Sequence, residues 1–296
     1  MSGQTPSAYR RLILDLCHGA NDAETMRAAA EFARLLGLDL HCLFIEDEAL
    51  LTLAELPFAR EIRLPTHQWS PIDADTMAAD LRQAAAEMRR LLDEIIRSVG
   101  VPSAFEVLRG DPAACIAGVC QAGDIVVVAE PGPPMARTTH SIAQAHAAAH
   151  GSAAAVLLLP ARFKPRRGPV VAVVADPADA SLGVACEIAT AAGEGVALLL
   201  PETLAQSGQR AGVDGARQRA RALGLRPERI TVNPVGGAQA EDVLHALAGR
   251  RESLIVMTRA ALAAADAAGA SRIAAARGAP VLLIEAEPQT DQPLAG

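Results

Sequence analysis

Residues 105–129 read FEVLRGDPAACIAGVCQAGDIVVVA, and residues 230–257 read ITVNPVGGAQAEDVLHALAGRRESLIVM. The two stretches share one grammar: a β-rich run, a Gly-containing turn, an Ala-rich helical stretch, then a short apolar strand. Each is followed by another Ala-rich stretch and a closing strand, AAAVLLLP at 153–160 and APVLLIEA at 279–286. Self-similarity on this scale marks a duplicated unit. Strands so short and so uniformly apolar are buried on both faces. Strict alternation of strand and helix calls for parallel pairing with right-handed crossovers.

Outward from these stretches, the first copy parses into strands at 11–16, 40–45, 104–108, 125–129 and 153–159. Helices are predicted at 21–36, from Asp73 or Asp75 to about 98, at 112–121 and at 137–149. Capping chemistry sets several of these limits: Asn21 or Asp22 before the first helix, Gly37 after it, and Pro112 at a first-turn position. The second copy gives strands at 170–175, 195–200, 230–235, 254–257 and 281–285, with helices at 178–192, 212–223, 239–248 and 260–277. The expected domains are 8–160, with an insertion at 46–72, and 168–287. The charged, Pro-containing stretch 160–168 reads as their linker, with the basic run 162–167 solvated.

The net charge is −7, from 27 basic and 34 acidic residues. An acidic globule lacks the cationic face that nucleic acid requires. No apolar run reaches the ~18 residues of a membrane span, and the polar N-terminus shows no secretory signal. The five cysteines (Cys17, Cys42, Cys115, Cys120, Cys186) are odd in number, lie in apolar segments and form no CxxC pair. Reduced thiols in a cytoplasmic protein are the expectation.

Gly110-Asp111-Pro112-Ala113 after the third strand, Gly123-Asp124-Ile125-Val126-Val127-Val128 at the fourth, Ser253-Leu254-Ile255-Val256-Met257-Thr258 in the second copy and Pro280-Val281-Leu282-Leu283-Ile284 at the close together resemble the universal stress protein family. The resemblance covers nearly the whole chain, as a tandem of two domains. It implies two repeated flavodoxin/Rossmann-like α/β domains, each a five-stranded parallel sheet of order 3-2-1-4-5 flanked by helices. Nucleotide-binding members of that family carry an Asp at the end of strand one. After strand four they carry a stretch G-x-x-G, about nine residues, then G-S/T. Glycines let backbone N–H groups approach phosphates, and a helix N-terminus adds positive potential.

Both copies depart from that pattern. After strand four the first copy reads Ala129-Glu130-Pro131-Gly132-Pro133-Pro134-Met135-Ala136-Arg137, where only Gly132 is a phosphate-type glycine and three prolines remove donors. Ser141 stands where the resemblance puts the final Ser, but His140 precedes it. The second copy reads Thr258-Arg259-Ala260-Ala261-Leu262, alanines in place of glycines. At the end of strand one the first copy places Cys17, two residues after Asp15, and the second keeps Asp176. Asp176, Thr258, Arg259, Cys17, Gly132 and Ser141 are therefore the candidate nucleotide crevice, and the motifs imply a degenerate one.

Other chemistry finds less support. His146 and His150 have metal-compatible spacing but no third ligand nearby; a solvent-facing stripe is the simpler reading. Cys115 and Cys120 read as small core residues. Cys17 beside His18 suggests an activated thiolate, without an acid to orient it. The insertion 46–72 holds the only Trp, Trp69, and reads as a cap completing the core ahead of a partner-binding or ligand-gating lid.

The reading is thus a non-enzymatic stress-response or regulatory protein acting mainly through protein contacts, without a cofactor. The alternatives are an ATP- or AMP-binding sensor with slow or no hydrolysis, and an adenine-nucleotide α-hydrolase-like enzyme. The strand-five edges, 153–159 and 281–285, are apolar. They are expected to meet within one chain as an intramolecular pseudo-dimer, leaving room for a further protein partner elsewhere.

Overall fold

In the computed structural model the described residues are 9–16, 23–63, 68–129, 148–149, 151–152, 154–160, 163, 165–176, 178–202, 210–237, 239–260 and 269–285. Contacts divide the chain into two units, Met1–Ala154 and Ala155–Gly296.

The first unit contains β1 (Arg11–Asp15), α1 (Ala23–Leu36), β2 (Asp39–Asp47), α2 (Glu48–Ala54), β3 (Arg60–Arg63), β4 (Gln68–Pro71), α3 (Ala74–Val99), β5 (Ser103–Gly110), α4 (Pro112–Val119) and β6 (Asp124–Ala129). Its main strands lie in the order β5-β2-β1-β6, all parallel, which is 3-2-1-4 in repeat numbering. Leu12, Ile13 and Leu14 of β1 are sealed from water, as a central strand covered on both faces must be. α1 turns alanines 28, 29, 30 and 33 inward, so its backbone approaches closely without crowding. Gly37 (φ 66°) and Gly100 (φ 76°) end α1 and α3 in the left-handed conformation that favours glycine. Asp73, not Asp75, caps α3 by accepting from Thr76 N at 2.8 Å. Asp111 caps α4 by accepting from Ala114 N at 2.8 Å, with Pro112 in its first turn.

The second unit contains β7 (Ala155–Leu159), β8 (Val170–Val173), α5 (Ala180–Ala192), β9 (Val196–Pro201), α6 (Arg210–Ala222), a 3-10 turn at Pro227–Arg229, β10 (Ile230–Val235), α7 (Ala240–Ala246), β11 (Leu254–Thr258), α8 (Gly269–Arg277) and β12 (Val281–Ile284). The order is β10-β9-β8-β11-β12-β7. The five strands of the second repeat thus realise 3-2-1-4-5, all parallel. β7 is the fifth strand of the first repeat. It runs antiparallel to β12, with Leu158, Leu157 and Val156 opposite Val281, Leu282 and Leu283. That pairing explains why contacts place β7 with the second unit, whereas the sequence pattern ends the first repeat at 160.

The stretch read as a solvated linker belongs partly to the second unit's structure. Glu252 has no exposed surface. Arg277 meets it with Nε at 2.8 Å from Oε1 and Nη2 at 3.1 Å from Oε2. Arg166 donates Nε to the Glu252 carbonyl at 2.6 Å and Nη2 to Oε1 at 3.2 Å. A buried charge needs such pairing, because desolvation otherwise outweighs burial. Beside it, a Cβ at Gly168 would lie 2.1 Å from the Arg251 carbonyl oxygen, so only glycine fits that close approach. The first repeat also buries an acid at the start of strand four: Asp124, paired with Arg11 at 2.7 and 2.9 Å. Of the basic run, Arg166 is therefore a structural counter-ion rather than a solvated linker charge.

Candidate functional site

In a sheet of order 3-2-1-4-5 the chain leaves strand one toward one side and strand four lies on the other. The crevice outside their carboxyl ends is where such folds bind ligands. In the second repeat those strands are β8 and β11, with Met257 level with Val173. Thr258 and Arg259 follow on one strand, and Val174, Ala175 and Asp176 on the other. Three of the candidate residues therefore stand at the switch point. Cys17, Gly132 and Ser141, the first repeat's candidates, lie outside the described residues, as do His18, His140, His146, His150 and residues 137–147 of the predicted helix 137–149.

The loop after β8 is closed by its own hydrogen bonds. Asp179 caps α5, accepting from Ser181 N at 2.8 Å, and its other oxygen accepts from Ala175 N at 2.9 Å. Ser181 Oγ donates to the Val173 carbonyl at 3.0 Å. Asp176 is exposed, and one of its oxygens accepts from Ala178 N at 2.7 Å. A phosphate at this helix start would have to displace the Asp179 carboxylate from the Ser181 N–H, and would meet its negative charge. Asp179 was the residue to notice in the sequence: an Asp directly before Ala180-Ser181-Leu182 carries the capping signature.

On the β11 side Thr258 is buried. Arg259 Nε lies 3.0 Å from Glu285 Oε1, an ion pair by distance whose alignment falls short of a hydrogen bond. The pairing register sets the two side by side, since Thr258 is opposite Ile284 one step earlier. A guanidinium already beside a carboxylate is a weaker phosphate ligand than one facing open water.

A groove of about 510 Å³ lined by Arg10, Arg11, Asp39, Gln121, Gly123 and Asp124 opens at the other end of the first unit's strands. Its central pair, Arg11 and Asp124, is mutually engaged, and the hydrogen bond to Asp124 raises the Arg11 pKa further. Burial pushes the Cys42 and Cys186 thiols up to about 12 and Cys120 to about 11, which keeps them protonated and unreactive. Among the described residues no cluster of three or more His, Cys, Asp and Glu side chains is placed to hold a metal ion. Nor, among them, is any helix long and apolar enough to cross a membrane.

No protein-family model and no curated protein matches the sequence. Solved structures do match its fold. A universal stress protein from Archaeoglobus fulgidus DSM 4304 superposes with a TM-score of 0.63 at 14% identity, over 94% of this chain and 98% of that one. A protein of unknown function from Pseudomonas aeruginosa PAO1 gives 0.54 at 14% identity, over 94% and 93% of the two chains. The cytoplasmic domain of a prokaryotic cation chloride cotransporter gives 0.52 at 10% identity, over 94% and 96%. At such identities the likeness speaks for architecture, and the chain thus has the duplicated α/β fold found in universal stress proteins.

Proposed function

We propose that the protein is a universal-stress-type regulatory module that acts through protein contacts and does not depend on bound nucleotide or on catalysis. The observation that carries this reading is the crevice of the second repeat. There Asp179 takes the Ser181 N–H at the start of α5 and the Ala175 N–H in the loop before it, alanines follow Thr258 and Arg259, and Arg259 is paired with Glu285. The fold is retained while, among the described residues of this crevice, the Ser181 N–H and the Arg259 guanidinium are already engaged. An ATP or AMP sensor remains the second reading, favoured by the exposed carboxylate of Asp176 at the switch point. The nucleotide content of protein purified without added ligand tests the choice. Denaturation followed by anion-exchange chromatography is expected to release only substoichiometric nucleotide; an equimolar adenine nucleotide would overturn the proposal in favour of the sensor.

The tandem also closes its own strand-five edges, so that the pair β7–β12 takes the place of an intermolecular one. The antiparallel register across these strands supports this, since apolar edges left open invite association. Replacing Leu157 and Leu282, which face each other, by cysteine should give an intramolecular disulfide under mild oxidation, read as a monomer of altered mobility on a non-reducing gel. Disulfide-linked dimers in its place would show that these edges pair between chains.

A further inference from the structure

We infer that the insertion of the first repeat is a docking surface for a cationic amphipathic helix of another protein. Eight large hydrophobic side chains are exposed among the described residues, and six belong to this one insertion: Leu50, Leu53, Leu56, Phe58, Ile62 and Trp69. Phe58 is 76% exposed and Trp69 62%. The insertion buries its small residues, Ala54 and Ala59, and turns these six large ones outward, with Leu51 and Ile72 half-buried. A segment that merely completed a core would do the reverse. Backbone bonds hold the surface in shape. Asp47 caps α2 through Ala49 N at 2.9 Å, and Leu56 N and Ala59 N bond back to Leu53 and Leu56. Ile72 N bonds to the Ala59 carbonyl at 3.3 Å, and β3 pairs with β4. Ile62 stands directly opposite Trp69, which puts both side chains on one face of the hairpin.

Charge selects the occupant. Between Glu46 and Asp75 seven carboxylates (Glu46, Asp47, Glu48, Glu55, Glu61, Asp73, Asp75) stand against two arginines (Arg60, Arg63), and one of the seven, Glu46, is paired with Arg109 of β5 at 3.5 Å. That net −5 is most of the chain's −7. A second copy would bring the same acidic rim against this one, and an anionic bilayer would be repelled equally. A helix with an apolar stripe and flanking Lys or Arg satisfies both features: its stripe covers the leucines and aromatics, and its cations meet the rim. The second repeat has only eight residues, 202–209, between β9 and α6, against the 26 between β2 and α3, too few for a comparable insertion.

The inference rests on the protein-contact reading above, and the chain carries its own reporter, since Trp69 is its single tryptophan. The full-length protein is titrated with an 18-residue helical Lys/Leu peptide, a scrambled peptide of the same composition, and a helical Glu/Leu peptide. Only the first is expected to give a saturable blue shift of tryptophan emission, weakened by added salt. Leu53→Ser with Phe58→Ser should weaken it at least about tenfold, as loss of central anchors does. Leu223→Ser, at the exposed leucine of the second unit, should leave it unchanged. Glu48→Lys with Glu55→Lys keeps the apolar surface, and should weaken the Lys/Leu peptide while admitting the Glu/Leu one. An equal response to all three peptides, no response, a blue shift that tracks protein concentration alone, or one produced by phosphatidylserine vesicles would each overturn the inference. ATP added to the same sample separates the two failures: a null peptide titration removes this surface, whereas tight ATP binding removes the reading beneath it.

Discussion

Glu252 illustrates how one side chain can decide the fate of a segment. It is sealed from water, and its charge is tolerable only because Arg277 and Arg166 reach it from opposite directions in sequence. Glu252→Ala leaves two guanidinium groups around a cavity and should destabilise the second unit by about 3 kcal/mol, the low end for breaking a buried pair because both arginines keep some water contact. Urea unfolding of the full chain checks this; a loss under about 1 kcal/mol, typical of exposed pairs, would mean the triad is not the anchor described. This was not legible in the sequence. A Glu in Arg-Arg-Glu-Ser looks solvated, and only the fold brings Arg166 and Arg277 to it. Asp73 was legible, because an Asp before a long amphipathic run is a cap. Its bonds from Thr76 hold the carboxyl below its ordinary 3.8. A depressed folded pKa means the stabilisation is complete above the unfolded value and is lost as pH falls through the folded one. Asn caps equally well but does not titrate. Asp73→Asn should therefore match the parent near neutrality and lose less stability on acidification below 3.8, measured by urea unfolding across the pH series; equal acid loss in both proteins would contradict the assignment.

At the scale of elements, the strands were readable because buried parallel strands are short apolar runs, and the structure keeps every predicted strand within a residue or two. The hairpin β3–β4 was missed. Its strands, REIR and QWSP, are short, carry charge or Pro, and are stabilised by each other rather than by a core. The insertion was also read first as a core-completing cap, because its leucine count looks like core. The count is blind to direction. Here Leu50 and Leu53 of α2 are exposed and Leu51 is half-buried, whereas Leu92 of the neighbouring α3 is buried. The difference is measurable. Leu92→Ala should cost about 2–5 kcal/mol as a cavity in packed surroundings, whereas Leu53→Ser should stay within about 0.5 kcal/mol. Comparable losses from the two, by urea or thermal unfolding, would show that the α2 face is covered after all.

For the molecule as a whole, repetition was the strongest signal, since two copies of one strand–turn–helix–strand grammar fix the class of fold without any single decisive motif. The crevice was half legible. Alanines and prolines in place of glycines could be read directly, but the bonds of Asp179 to the Ser181 and Ala175 N–H groups and the approach of Glu285 to Arg259 depend on loop geometry. On the reading proposed above, this duplicated fold works without tight nucleotide binding. Isothermal titration of the full-length protein with ATP and with AMP, each with and without magnesium, tests it most directly. No saturable heat is expected at micromolar nucleotide, and no change on Asp176→Ala. A sub-micromolar affinity for ATP that Asp176→Ala abolishes would contradict it and establish a nucleotide sensor in its place.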